Sequence, residues 1–209
     1  MLKLRFYLRA SRNEDLLVLK NFLVTGRPGS GKSTIVAKTV QILIDQGVRV
    51  GGIVCPEIRD GSGQRIGFKM KNILSGEERL LAHVGHKAGP SVGKYGVIVE
   101  NVDYMSETSI LNSLEHVDVI VIDEIAPMET FSEKFKKAIT TVLDSSKPLL
   151  AAIHMRSMTG FIGDIKKRPD VKIWVIKPEN RERLPTEIAS EILKVLRTEK
   201  SENRMEHPS

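Results

Sequence analysis

Between residues 22 and 36 the sequence reads FLVTGRPGSGKSTIV, with four residues separating Gly26 from the run Gly31, Lys32, Ser33. That is the G-x-x-x-x-G-K-[ST] spacing of a phosphate-binding loop. Glycines let the backbone turn tightly enough for successive N–H groups to face phosphate oxygens, and a helix starting near Gly31 adds the partial positive charge of its N-terminus. Gly26, Arg27, Pro28, Gly29, Ser30, Gly31, Lys32, Ser33 and Thr34 are the expected cradle. Lys32 supplies a mobile cation for the terminal phosphates, and the Ser33 hydroxyl can ligate Mg2+. A bare glycine turn is the alternative. The apolar run Phe22 to Thr25 before the motif and the amphipathic pattern through Ile35, Val36, Val40, Leu43 and Ile44 after it favour the strand-loop-helix unit that a nucleotide site requires.

A second group of chemically capable residues follows "VDVIVIDE", residues 117 to 124. A nearly continuous apolar run is the pattern of a strand buried on both faces of a parallel sheet, so Asp123 and Glu124 emerge on the rim that carries the phosphate loop. Asp123 fits the Walker B acid, which with Ser33 makes the expected metal pair for Mg2+, and Glu124 can orient and polarise a water for attack on the γ-phosphorus. A turn or cap role is the alternative for Glu124. His154, at the end of "AAIHMRS", is placed to touch the γ-phosphate or the attacking water, or else serves as a structural hydrogen-bonding residue. Arg156 can stabilise transition-state charge or be an ordinary surface arginine. Glu129 can support the site or simply begin a helix. "KPENRERL" offers Asn180 and Arg181 as contacts to the base, with a surface loop as the other reading.

The elements that must hold these residues alternate almost throughout. A helix after the loop ends near Gln46 at Gly47, and a strand follows over 48–54. "PEIRDGSGQRIGFKMKNI" alternates on both sides of Asp60-Gly61-Ser62-Gly63 and reads as a hairpin, antiparallel structure inside a parallel plan. Residues 77–99, with five glycines or prolines as punctuation, read as loop and short strand, and "ETSILNSLEH" as a helix beginning near Ser106. After the acidic strand come a helix capped near Thr130 or Ser132, a buried strand "PLLAAIH", a helix over "SMTGFIGDIKKR", a last strand "VKIWVI" and a closing helix "PTEIASEILKVL". This is a doubly wound, mostly parallel α/β sheet with its ligand at the carboxyl ends of the strands.

The 209 residues suit one α/β domain. The expected division is an N-terminal extension over 1–20, a P-loop domain over 21–198, and a disordered polar tail over 199–209, "EKSENRMEHPS". A single cysteine, Cys55, excludes an intramolecular disulfide framework and reads as a buried thiol in a reducing cytoplasm. No apolar run is long enough to span a bilayer, and Lys3, Arg5 and Arg9 interrupt any signal-peptide core, so no membrane partner is expected. A net charge of +6 raises the question of nucleic acid, but the basic residues are interspersed with acids and 5% aromatics leaves few stacking platforms. Nucleic acid is not the favoured partner. The short basic group Lys166, Lys167 and Arg168 reads as a helix end complementing the dipole.

"GRPGSGKST", "EIRDGSGQRIGF", "VGKYGV", "VIDEIAPME", "AAIHMRS" and "RPDVKIWVIKPENRERLP" together resemble the nucleoside-triphosphatase family described first from thermophiles, also known as the cancer-related nucleoside-triphosphatase. The resemblance runs from about residue 21 to 197. It implies a RecA-like P-loop fold with a small hairpin insertion, and slow, Mg2+-dependent hydrolysis of ATP, GTP, CTP and UTP, with low base selectivity, to diphosphate and phosphate. It also implies phosphate binding by Gly26 to Thr34, with Asp123 and Glu124 as metal and water acids. Three departures stand out. Ala126 occupies a usual glycine position, the "DGSGQR" turn is one residue longer and puts any substrate contact by Arg65 in doubt, and residues 1–20 lie outside the match. A P-loop phosphotransferase with an arginine lid near Arg59 and Arg65, and a nucleotide-switched nucleic-acid-binding factor, are the alternatives.

Overall fold

The computed structural model describes residues 19–206. In chain order its first elements are β1 (Asn21–Thr25), α1 (Lys32–Asp45), β2 (Val50–Val54), β3 (Glu57–Arg59), β4 (Arg65–Asn72), β5 (Glu78–His83), β6 (Ser91–Val92) and β7 (Tyr95–Val97). Then come α2 (Val99–Met105), a π-helical turn (Ser106–Leu111), α3 (Asn112–His116), β8 (Val119–Ile125) and a 3-10 turn (Glu129–Phe131). The chain closes with α4 (Glu133–Asp144), β9 (Leu149–Ile153), α5 (Gly160–Lys167), β10 (Val171–Val175) and α6 (Leu184–Glu206).

Strands β10, β1, β9, β8 and β2 lie side by side in that order, all parallel. Successive residues of these strands are buried on opposite faces. Phe22 and Val24 of β1, with Val119 and Val121 of β8, pack under α1 and α6 against Ile35, Leu43, Ile188 and Ile192. Leu23, Ile120 and Ile122 face the other way, toward Phe135 and Ile139 of α4, Ile162 of α5 and Met105 of α2. Layers of helix on both faces explain why these strands carry near-continuous apolar runs.

The antiparallel part is larger than a lone hairpin. From β2 the sheet continues through β4, β5, β7 and β6, with β3 on the outer part of β4. Residues 77–99 thus hold three strands where the sequence suggested loop and short strand, because cross-strand pairing overrides the glycines and prolines that punctuate them. The Asp60 turn is held by its own carboxylate, which accepts from Ser62 N at 2.9 Å and Gln64 N at 3.0 Å. A bulge where Ile58 pairs Gly67 but Arg59 pairs Arg65 absorbs one residue of β4.

The helix expected near Ser106 begins seven residues earlier, at Val99. Ser106 does not cap it. Its hydroxyl donates to the Val102 carbonyl at 2.7 Å, and Ser113 donates to Ser109 at 2.6 Å, so these buried serines satisfy themselves on the preceding turn. Their small size lets the helix approach Gly51, whose added Cβ would lie 2.7 Å from Ser113 Oγ. At the other end Ser132 caps α4 as expected, accepting from Phe135 N.

The closing helix α6 runs to Glu206, so the polar stretch expected to be a disordered tail is helical to that point. Elongating a helix whose first half is already packed avoids the nucleation penalty, and Glu, Lys, Arg and Met are good helix formers. The extension expected over 1–20 falls, apart from Leu19 and Lys20, outside the described residues. No helix among the described residues is long and apolar enough to cross a membrane.

Gly52 tests the packing of the central strands. Its φ is +119° and an added Cβ would sit 2.1 Å from the Val121 carbonyl oxygen of β8. Gly52→Ala should therefore cost more than about 2 kcal/mol in urea unfolding, whereas Gly61→Ala, at an open turn position, should stay within about 0.5 kcal/mol of the parent. Equal stabilities for the two variants would contradict the β2–β8 register.

Candidate active site

The turn between β1 and α1 is shaped by three glycines. Gly29 and Gly31 have φ of +74° and +95°, which side chains oppose, and a Cβ at Gly26 would lie 2.4 Å from Ser30 Oγ. The Ser30 amide donates to the Arg27 carbonyl at 3.0 Å. Ser30 Oγ itself is buried with no partner, a polar atom left over inside the loop. Arg27, Pro28 and Gly29 form the exposed crest, Ser33 and Thr34 are exposed on the first turn of α1, and Lys32 is half-buried behind them.

Strand order decides what faces this loop. Because β9 lies between β1 and β8, the residue that follows β9 stands between the loop and the two acids. That residue is His154. Its amide donates to the Ile125 carbonyl at 3.0 Å, and its Nδ1 lies 2.7 Å from Ser157 Oγ. Burial, then Lys166, Lys32 and Arg156 in turn, lower its proton affinity below that of ordinary histidine, which makes it neutral near pH 7. Lys32, Arg156 and Lys166 thus all bear electrostatically on one imidazole.

Asp123 and Glu124 both reach the loop. The Ser33 hydroxyl is close enough to the Asp123 carboxylate to stabilise its charge, and Glu124 Oε2 lies 3.5 Å from Lys32 Nζ. Neighbours in a regular strand point to opposite faces. Here the pairing of β8 with β9 slips between Ile122 and Ile125, where three steps of β8 match two of β9, and this bulge lets both side chains turn toward the loop. The Asp123–Glu124 peptide is cis. Asp123 is only 7% exposed, and burial pushes its carboxyl up to about 6, with Ser33 and Lys32 opposing and Glu124 reinforcing. Burial likewise raises Glu124 against the pull of Lys32.

Glu129 is the site residue that local pattern weighs too lightly. It sits in the 3-10 turn, only 3% exposed, with Oε2 buried and unpartnered. Burial pushes it up to about 8; backbone amides of Glu129 and Ala126 counter this, while Glu124 and Asp123 add to it. Cys55 lies within the same electrostatic neighbourhood, its thiol pushed well up by burial and then by Glu129 and Asp123. Its side chain is half-buried, where the sequence suggested a fully buried thiol. Ala126 needs no special backbone, since among the described residues every positive φ belongs to glycine.

Two expectations about peripheral contacts change. Asn180 uses its amide within its own loop, donating to the Val175 carbonyl at 3.0 Å and accepting from Lys177 N at 2.9 Å, so its orientation is set by that loop rather than by a base. A short connection after an edge strand has few other partners for its backbone. Arg181 does lie at the loop, its Nε 3.9 Å from where a Cβ on Gly31 would be. Arg65 is held in the antiparallel extension by Glu57 at 2.6 Å and Tyr95 at 3.1 Å. Ser33 and Asp123 are neighbouring hard oxygen donors, beside the half-buried Glu124 with Lys32 against it, a donor set that fits Mg2+.

The family model described as NTPase matches residues 21–189. The chain belongs to the NTPase family. This NTPase is 48% identical to the nucleoside-triphosphatase THEP1 of Thermofilum pendens over 84% of its own length and 97% of the relative's. It is 40% identical to the nucleoside-triphosphatase THEP1 of Methanopyrus kandleri, again over 84% and 97% of the two chains. The crystal structure of THEP1 from the hyperthermophile Aquifex aeolicus superposes with a TM-score of 0.69 at 29% identity, covering 82% of this NTPase and 98% of that chain. The fold is the expected RecA-like α/β arrangement, and the match begins at β1, beyond the N-terminal residues.

Glu129 gives a test in pH. A carboxyl with raised proton affinity in the folded state keeps a proton that the unfolded chain releases, so stability falls as pH rises from about 4.5 to about 8. Each tenfold change in proton affinity is worth about 1.4 kcal/mol. Urea unfolding between pH 5 and pH 8 should show the parent losing at least about 1 kcal/mol more stability than Glu129→Gln across that window. Parallel profiles would mean that Glu129 ionises normally.

Proposed function

We propose that this chain hydrolyses nucleoside triphosphates to nucleoside diphosphate and phosphate, with Mg2+ as cofactor and little selectivity for the base. The observation that carries the reading is the approach of the acids to the loop: Lys32 with Glu124 at 3.5 Å, and Asp123 within the influence of the Ser33 hydroxyl. The amides of residues 26 to 34 bind and orient the phosphates, and Lys32 follows the charge of the γ-phosphoryl group as it transfers. Ser33 and Asp123 would hold Mg2+, which neutralises phosphate charge when bound. Glu124 takes the proton of the attacking water, and neutral His154 orients that water or the γ-phosphate without adding charge.

Hydrolysis is favoured over phosphotransfer because the hairpin arginines are engaged elsewhere: Arg59 and Arg65 both pair with Glu57, at 2.5 and 2.6 Å. Neither is free to act as a lid. Low base selectivity follows from the commitment of Asn180 to its own loop, which leaves Arg181 as a stacking surface rather than a hydrogen-bonding reader.

Glu124→Gln keeps size and removes charge. Single-turnover hydrolysis should fall about 10²–10⁴-fold while the affinity for a non-hydrolysable triphosphate analogue with Mg2+ changes little. Asp123→Asn should weaken Mg2+-dependent binding as well as turnover, and Lys32→Ala should nearly abolish turnover. A Glu124→Gln variant with parental turnover would make Glu124 a structural acid and end its assignment as the base that activates water. Across ATP, GTP, CTP and UTP, specificity should spread far less than a thousandfold, or ~4 kcal/mol; a spread of that size would require base hydrogen bonds and a dedicated substrate.

A further inference from the structure

The basic group at the end of α5 does not act as a unit. Lys167 pairs with Asp164 at 3.3 Å, and Arg168 pairs with Asp144 and Asp170, each at 2.8 Å. Lys166 turns the other way. Its ammonium donates to the carbonyls of His154 at 2.7 Å, Met155 at 3.0 Å and Ser157 at 2.9 Å. Three donors meet three carbonyls, and no carboxylate among the described residues neutralises the charge. Carbonyl oxygens converging in this way repel one another, so the turn from 154 to 157 depends on a cation at its centre.

That turn is the one that stands between the phosphate loop and the acids. It starts at the end of β9, is tied to β8 by the amide of His154, and carries both His154 and Arg156. Helix α5 also presses directly beneath it: a Cβ on Gly163 would lie 2.4 Å from the Met158 carbonyl. The turn is therefore gripped from one side by α5, with Lys166 as the polar contact. Its charge adds to those of Lys32 and Arg156 near the imidazole.

Resting on the hydrolytic reading above, we propose that Lys166 is a positioning residue for that reaction, holding the 154–157 turn so that His154 and Arg156 meet the γ-phosphoryl group. It touches neither substrate nor metal itself. Its removal should slow the chemical step and leave ground-state binding to the phosphate loop intact, since Gly26 to Thr34 are held by their own turn.

The test is Lys166→Met, which keeps the aliphatic stem and loses all three donors, beside Lys166→Arg, which keeps the charge and donors in altered geometry. Single-turnover ATP hydrolysis with Mg2+ should fall at least about tenfold in Lys166→Met and be partly restored in Lys166→Arg, with affinity for a non-hydrolysable ATP analogue within about twofold of the parent in both. In a chain already carrying His154→Ala and Arg156→Ala, Lys166→Met should have less than about a twofold further effect, because the side chains it positions are gone. Parental turnover in Lys166→Met, an equal fall in the doubly substituted background, or a parallel loss of nucleotide affinity would each overturn the proposal. Should Lys166→Met fail to fold, Lys166→Gln carries the same comparison. A parent with no triphosphate hydrolysis would instead remove the hydrolytic reading itself.

Discussion

Two adjacent carboxylates, the buried Asp123 and the half-buried Glu124, stand near the end of β8 with, among the described residues, one lysine within ion-pair distance of Glu124, and the architecture around them answers that shortage of positive charge. Burying carboxylates without compensation is expensive, and each is driven toward its protonated form. Compensation comes from the neighbourhood of the loop: Lys32, the hydroxyl of Ser33 and the N-terminal end of α1. A site that holds acids in this condition gains most from binding something that brings a divalent cation and phosphates together.

The sheet supplies the geometry. With β9 inserted between β1 and β8, loop and acids are separated by one strand, and the turn after that strand becomes the place from which His154 and Arg156 can address both. The bulge in β8 is what brings two sequence neighbours to one side. Rigidity at such a point is concentrated in contacts that sequence patterns treat as ordinary. Lys166 on three carbonyls, Ser157 on His154 and Gly163 beneath Met158 are each a local packing detail, and together they hold one turn.

Behind the acids lies a further buried carboxyl. Glu129 shares its surroundings with Cys55, Asp123 and Glu124, and a third ionised carboxylate there would raise the electrostatic cost of the other two. Held neutral at ordinary pH, it fills that space without adding charge. The antiparallel extension is chemically separate: its arginines, lysines and acids pair among themselves, as in Lys69 with Glu78 at 2.6 Å and Arg79 with Glu77 at 2.9 Å.

Sequence alone determined the phosphate loop, the buried strand ending in Asp123 and Glu124, the alternation that makes a doubly wound sheet and the hairpin at Asp60, because each is encoded over a few consecutive residues by backbone freedom or periodic burial. It also carried the family, through the order of its motifs. The rest depended on partners distant in the chain. The start of α2 at Val99 goes with its packing on β5, the helical run beyond Ser106 packs against β2, and the strands within 77–99 are built outward from the pairing of β5 with β4. Asn180 looked free for a base until its own loop engaged both ends of the amide, and Lys166 lies at a helix end as expected but is also brought by the fold to the carbonyls after β9. Tertiary structure alone decides which buried polar group meets which, since hydrogen-bond partners and burial are properties of neighbours in space rather than in sequence.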